Sequence, residues 1–204
     1  ANLGNTPLKA GGIAFADSSM WVLDSTGSLL QTVGTDALRV ERSLVVAPPF
    51  AEASCLAWDG QLLWARDRAA GCVLRGLDPR DGRTVRSVAL PAELGGAALP
   101  PAGCFPFDFG GGSLWVGVRD ELFRLDAQNG ALLSRTKLAL PPQEGLLALA
   151  WTGGFIYAMT SGERIFKLRP ADGALLLSFR TQDQKAEPRL TRSSGPDLWL
   201  ADCT

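Results

Sequence analysis

Histidine is absent from this chain of 204 residues, and its absence limits the chemistry that the other side chains can perform. Without an imidazole, the chain lacks the commonest general acid and base and the commonest neutral metal ligand. Nucleophile pairs in which histidine activates serine or cysteine are excluded as well. Carboxylate, lysine and tyrosine chemistry remains open. The composition therefore leaves catalysis undecided and favours a protein that is not an enzyme.

Three carboxylates near predicted first strands are the candidates for a metal site. Glu52 and Glu144 precede such strands, and Asp108 lies within one. Oxygen ligands of this kind are those that Ca²⁺ and Mg²⁺ prefer. We expect no cofactor, and a Ca²⁺ or Mg²⁺ site built from these three residues is the alternative.

The four cysteines lack the paired spacing of a zinc site. They are Cys55, Cys72, Cys104 and Cys203, with no C-x-x-C among them. An even number is typical of one or two disulfides in a periplasmic or extracellular protein. Buried free thiols are the alternative. Four cysteines allow three pairings, among which the sequence does not choose.

Charge and hydropathy argue against a nucleic-acid partner and against a transmembrane helix. Twenty basic and 21 acidic residues give a net charge of −1, which offers no electrostatic footprint for nucleic acid. No apolar run reaches the roughly 18 residues of a transmembrane helix. With 46% hydrophobic and 20% charged residues, the composition is that of a folded globular protein.

Pairs of aromatic residues six positions apart indicate the strands that would position the candidate carboxylates and cysteines. The pairs are Phe15/Trp21, Trp58/Trp64, Phe109/Trp115 and Trp151/Tyr157, with a degenerate copy at Ser193/Trp199. Their second members are 43, 51, 42 and 42 residues apart, which is the period of β-propeller blades built from short strands. We expect these second members to form the core between blades: Trp21, Trp64, Trp115, Tyr157 and Trp199. A stacking platform for sugars is the alternative.

A second marker follows each aromatic pair at a matched distance. It reads LDPRDG at 77–82, LDAQNG at 125–130 and LRPADG at 168–173. Asp-Gly and Asn-Gly provide the positive φ angles of a tight turn between two strands. The two markers predict one all-β propeller domain over residues 1–204, made of four-stranded antiparallel blades. The predicted units are 11–47, 54–90, 104–140 and 146–180, with a partial fifth at 189–202.

The partial fifth unit predicts strands at Arg189–Ser193 and Asp197–Ala201, and an exposed strand edge of this kind invites pairing. Either residues 1–10 close the ring with one more strand, or a partner chain completes it. The insertion between Pro91 and Gly103 lengthens one interval, and inserted loops are frequent sites of recognition. Its candidate contact residues are Pro91, Leu94, Leu99, Pro100 and Pro101.

The stretch WDGQLLWA (Trp58 to Ala65), followed by LDPRDG, resembles the repeats of propellers related to the NHL, YVTN and streptogramin-lyase groups. The resemblance covers nearly the whole chain and implies the propeller fold. Those groups contain lyases, lactonases and non-catalytic binding proteins. Lactonases similar to senescence marker protein hold a divalent metal with Glu, Asn and Asp. This chain has only Asn2 and Asn5 outside the turn at Asn129, so it does not reproduce that metal site.

The sequence therefore predicts a non-catalytic β-propeller that binds another protein or forms a structural subunit of a larger assembly. A metal-dependent lactonase, hydrolase or lyase is one alternative. A carbohydrate-binding, lectin-like propeller is the other. Fold alone does not decide among them.

Overall fold

The computed structural model describes residues 10–16, 19–34, 39–50, 53–67, 73–91, 94, 105–180, 188–192 and 198–202. Within these ranges the named elements are eighteen β-strands. Among the described residues, no helix has the length and apolar character needed to cross a bilayer.

Sixteen of the strands form four antiparallel sheets of four consecutive strands each, named blades 1 to 4 in chain order. Blade 1 contains β1 (Ala10–Ala16), β2 (Ser19–Asp24), β3 (Leu29–Val33) and β4 (Val40–Val45). Blade 2 contains β5 (Ala53–Trp58), β6 (Leu63–Asp67), β7 (Val73–Leu77) and β8 (Thr84–Ala89). Blade 3 contains β9 (Phe107–Gly110), β10 (Ser113–Val118), β11 (Glu121–Asp126) and β12 (Leu132–Lys137). Blade 4 contains β13 (Leu146–Thr152), β14 (Phe155–Thr160), β15 (Arg164–Leu168) and β16 (Leu175–Arg180).

The predicted all-β propeller fold of four-stranded antiparallel blades is confirmed. The last two strands, β17 (Pro188–Arg192) and β18 (Leu198–Asp202), pair with each other in a separate antiparallel sheet. Each is shifted by one residue from the strand predicted for a partial fifth unit. Residues 1–9 are outside the described ranges, so closure of a ring by the N-terminus stays a prediction.

The chain divides into two compact units, Ala1–Leu90 and Pro91–Thr204. The first unit holds blades 1 and 2, and the second holds blades 3 and 4 with the β17–β18 sheet. The prediction of one domain over residues 1–204 stays a prediction.

The turn between the third and fourth strands has the same hydrogen bonds in blades 2, 3 and 4. The amide of Gly82 donates to the carbonyl of Asp78, that of Gly130 to Asp126, and that of Gly173 to Arg169, at 2.8–2.9 Å. These three glycines have φ between 69° and 76°, where an L side chain is strained. The Asp-Gly and Asn-Gly signals therefore form tight turns, as predicted.

Each unit buries an apolar core between its two blades. In the first unit, Ala14, Trp21 and Leu23 of blade 1 share a cluster with Leu63 and Ala65 of blade 2. The second unit forms the equivalent cluster from blade 3 and blade 4 residues: Trp115, Leu122, Leu149, Ile156, Ala158 and Phe166. Alternation along each strand brings one face of the sheet into the cluster and leaves the other face for a different neighbour.

Candidate interaction surface

Three of the recurring aromatic residues, Trp21, Trp64 and Trp115, are core residues. Trp21 and Trp115 are buried in the clusters between blades. Trp64 is fully buried, and its Nε1 donates to Asp59 Oδ2 at 2.7 Å. Buried indoles with satisfied N–H groups cannot present a flat face to a sugar. The side chain of Trp199 lies outside the described residues.

Tyr157 occupies the same position in blade 4 and is only half-buried. In each blade the recurring aromatic residue pairs with a residue of the first strand. From blade 1 to blade 4, these partners are Ala14, Ala57, Asp108 and Ala150. Asp108 is thus the exception in a row of alanines.

Asp108 uses its carboxylate to connect blade 3 to blade 4. The side chain is buried in β9, and its Oδ2 accepts a hydrogen bond of 2.7 Å from the backbone N–H of Trp151 in β13. Its Oδ1 accepts one of 2.8 Å from the backbone N–H of Phe109. A buried carboxylate held by backbone N–H donors is a structural acceptor. This role was not predicted from the sequence, although alignment of the repeats shows the exception.

Glu144 is held by a different set of partners. Its Oε2 accepts a hydrogen bond of 2.6 Å from Thr160 Oγ1, and its Oε1 lies 3.3 Å from Arg164 Nε. Glu52 is outside the described residues. Among the residues that are described, no group of three or more His, Cys, Asp or Glu side chains is placed to hold a metal ion. The Ca²⁺ or Mg²⁺ site stays a prediction.

The side chain of Arg75 in β7 has three partners within the first unit. Its guanidinium lies 3.6 Å from the centre of the Phe50 ring, donates to the carbonyl of Pro48 at 3.0 Å and pairs with Asp67 at 3.2 Å. Burial lowers the pKa of Arg75, and the Asp67 carboxylate opposes that shift. The Arg80 guanidinium binds Asp78 and lowers the pKa of that carboxyl to about 2. Arg75 and Arg80 therefore each bind a carboxylate of the first unit.

Most of the cysteines and most of the candidate contact residues of the insertion lie outside the described residues. Cys55 lies in β5, and Cys72, Cys104 and Cys203 are outside the described residues, so the disulfides and their pairing stay a prediction. In the insertion, Leu94 is buried and its N–H donates to the carbonyl of Pro91. Leu99, Pro100 and Pro101 lie outside the described residues.

The outermost strand of blade 4 is unusually apolar for an exposed element. All six residues of β16 are exposed, and four of them are large and apolar: Leu175, Leu176, Leu177 and Phe179. The corresponding strands β4, β8 and β12 each have one or two such residues: Val40 and Val45, Val85, and Leu132 and Leu133. Contiguous exposed apolar residues mark interaction sites. The run LLLSF was the sequence signal, and it was not singled out.

Register places Leu177 and Phe179 on one defined face of blade 4. One row across the sheet is Ala150, Tyr157, Lys167 and Leu177, and the next is Ala148, Met159, Ile165 and Phe179. Lys167 Nζ lies 3.9 Å from the centre of the Phe155 ring and 5.7 Å from that of Tyr157. We name the outward half of this face the blade 4 outer face; it comprises Phe155, Tyr157, Lys167, Leu177 and Phe179.

No protein-family model matches the chain, and no curated protein matches it. Among solved structures, it is similar to a glutaminyl cyclase of Myxococcus xanthus, with 13% sequence identity and a TM-score of 0.71. That likeness covers 96% of this chain and 86% of the cyclase chain. It is also similar to a hydrazine synthase of Kuenenia stuttgartiensis, with 11% identity and a TM-score of 0.55, over 89% of this chain and 53% of the other.

At these identities the likeness shows the fold alone. The finer resemblance to the NHL, YVTN and streptogramin-lyase groups stays a prediction.

Proposed function

We propose that this protein is a non-catalytic β-propeller that binds another protein and serves as a structural subunit of a larger assembly. The observation that supports this proposal is the apolar surface of β16 and the blade 4 outer face. An exposed patch of large apolar side chains is unfavourable in water and becomes favourable when a partner covers it.

Two of the carboxylates considered as metal ligands, and two arginines of the first unit, have structural partners. Asp108 and Glu144 accept hydrogen bonds within the second unit, and Arg75 and Arg80 bind carboxylates of the first. The partner in this proposal is a protein rather than a nucleic acid, in keeping with the net charge of −1. No cofactor is part of the proposal.

The proposal places the protein in the periplasm or outside the cell. A disulfide between two of the four cysteines would persist in those oxidising compartments, whereas disulfides are rare in a reducing cytosol. Alkylation of the protein with and without prior reduction, followed by intact mass measurement, counts the oxidised cysteines. If all four thiols are alkylated without reduction, the placement in an oxidising compartment loses its support.

Native mass spectrometry of the protein purified from its source without chelator tests the interaction. We expect a metal-free species associated with a second polypeptide. In a matched variant, Leu177→Lys, the fraction of this complex decreases because a charge replaces an apolar contact, whereas Ser178→Lys in the same strand serves as the control. A lone monomer at the concentrations found in the source contradicts the proposal.

The second candidate is an enzyme, and the observation that favours it is the structural likeness to a glutaminyl cyclase over 96% of the chain. Incubation with peptides that begin with glutamine, monitored by release of ammonia, tests this activity. The same assay with EDTA tests whether a divalent ion is required. Turnover that is lost in Asp108→Asn or Glu144→Gln, with folding intact, establishes the enzyme and sets the non-catalytic proposal aside.

A further inference from the structure

The outer strand of a blade ends against a glycine turn of the following blade in both neighbouring pairs that the two units contain. In the first unit, a Cβ added at Gly82 of blade 2 would lie 2.7 Å from the carbonyl oxygen of Val45 and 3.4 Å from Cβ of Leu44. In the second unit, a Cβ added at Gly173 of blade 4 would lie 2.5 Å from Cγ2 of Thr136. The turn between the third and fourth strands therefore covers the end of the preceding outer strand.

Leu44, Val88, Thr136 and Phe179 occupy the same position in their blades. Each is the fifth residue of its outer strand, and each pairs with the second residue of the third strand. Leu44 and Thr136 are half-buried and Val88 is buried, at 4% exposure. Phe179 is 43% exposed, although phenylalanine is the most apolar of the four. Among the described residues, the glycine turn that meets this position in blades 1 and 3 has no counterpart at Phe179.

The inner half of the same face is covered. Ala148, Ala150, Met159 and Ile165 form a buried cluster with Tyr157 at its margin. The backbone of β17 lies against β13 and, to a smaller extent, β14. In both rows the residue of the fourth strand is the exposed one, and the blade 4 outer face continues an existing contact outward.

We propose that the blade 4 outer face binds a β-hairpin supplied by another polypeptide, which takes the place of the third and fourth strands of a further blade. This inference rests on the proposed function and names the kind of partner. The four hairpins of third and fourth strands in this chain each cover 17 residues: Leu29–Val45, Val73–Ala89, Glu121–Lys137 and Arg164–Arg180. A hairpin of about this length fits the face, since neighbouring blades stack strand over strand.

Two features of the partner follow from the contacts. Its turn carries a glycine with positive φ opposite Phe179, because Gly82 and Gly173 meet the preceding outer strands in that way. Lys167 is the one charged side chain among the described residues of the face, so a carboxylate on the hairpin complements it. Apolar side chains that alternate along the hairpin cover Tyr157 and Leu177.

Site-specific photocrosslinking in the source organism tests the inference. p-Benzoylphenylalanine at Phe179 is compared with the same probe at Leu132 of β12, which is 42% exposed and so matches the 43% of Phe179. We expect a crosslink from Phe179 to a segment of another chain that reads strand, glycine turn, strand, and about tenfold less product from Leu132. We also expect Leu177→Lys to reduce the Phe179 product about tenfold, as loss of an apolar anchor weakens binding by at least about 1.4 kcal/mol.

The outcomes separate this inference from the proposed function. Co-purification of a partner without a crosslink at Phe179 overturns the hairpin inference and leaves the interaction proposal intact. Absence of any partner overturns both. Crosslinks from Phe179 to this chain itself, or to a segment of another chain without the strand and turn pattern, also overturn the inference. If the Phe179 probe prevents folding, the probe at Leu177 replaces it under the same expectations.

Discussion

Replacement of Asp108 by alanine separates a structural carboxylate from a metal ligand. Asp108 accepts hydrogen bonds from the N–H groups of Phe109 and Trp151 at 2.8 and 2.7 Å, and the second of these connects blade 3 to blade 4. Alanine is the residue at this position in the other three blades, so its side chain fits the site. The change therefore removes the acceptor without introducing a clash.

The expected loss of stability follows from the groups that remain. A buried donor that loses its acceptor costs about 1–3 kcal/mol, and removal of the carboxylate recovers part of the penalty for burying it. We expect Asp108→Ala to lower the free energy of unfolding by about 2 kcal/mol. Asp108→Asn retains one carbonyl oxygen for one of the two donors, so its loss is expected to be about 1 kcal/mol.

Urea unfolding followed by tryptophan fluorescence measures these differences, because Trp115 and Trp151 stack at 6.0 Å between the two blades. For a chain of this length, 2 kcal/mol corresponds to a lower Tm by about 4–8 °C. The control is Asp120→Ala, whose carboxylate pairs at 3.4 Å with Lys137, a residue 76% exposed. Its expected effect is within about 0.5 kcal/mol.

The reasoning is refuted if Asp108→Ala unfolds like the parent protein. A second contrary result is an effect of EDTA: if chelation lowers the Tm of the parent and leaves that of Asp108→Ala unchanged, the carboxylate binds a metal. We expect the stability difference between the two proteins to be the same with and without EDTA.

The remaining predictions concern two glycines and one titrating carboxyl. Gly110→Ala is expected to cost at least about 2 kcal/mol, because its Cβ would lie 1.9 Å from Cγ of Trp151 and overpacking of this kind costs about 1–3 kcal/mol. Gly112 has φ of 71° and open space around it, so Gly112→Ala should cost only about 1–2 kcal/mol. Near-UV circular dichroism should change in Gly110→Ala alone. A larger loss of stability in Gly112→Ala than in Gly110→Ala contradicts the packing of Trp151 against Gly110. The Asp78 carboxyl, with a folded pKa of about 2 against 3.8, stabilises the fold above pH 3.8, and this contribution is lost as the pH falls to about 2. Urea unfolding from about pH 5 to about pH 2 should therefore show a smaller loss of stability in Asp78→Asn than in the parent, and parallel pH profiles contradict the shift.

The local part of this structure follows from the sequence because it depends on short-range forces. A run such as Glu121–Asp126, closed by Asn129-Gly130, forms a strand and a turn through the backbone preferences of residues that are close in sequence. The spacing of Trp21, Trp64 and Trp115 follows for the same reason, since each blade repeats the same strand order. Unit boundaries differ by up to three residues, as at β9, which begins at Phe107 rather than at position 104.

Only the tertiary structure decided what the functional candidates do. Asp108 reads in the sequence as a candidate metal ligand, and it becomes an acceptor between blades because Trp151, 43 residues later, brings its N–H within 2.7 Å. Phe179 reads as an ordinary strand residue, and it becomes part of a candidate binding surface because the equivalent position is buried or half-buried in blades 1, 2 and 3 but exposed in blade 4. Pairing within a blade is set by neighbours in sequence, whereas burial of a blade face depends on which surface packs against it.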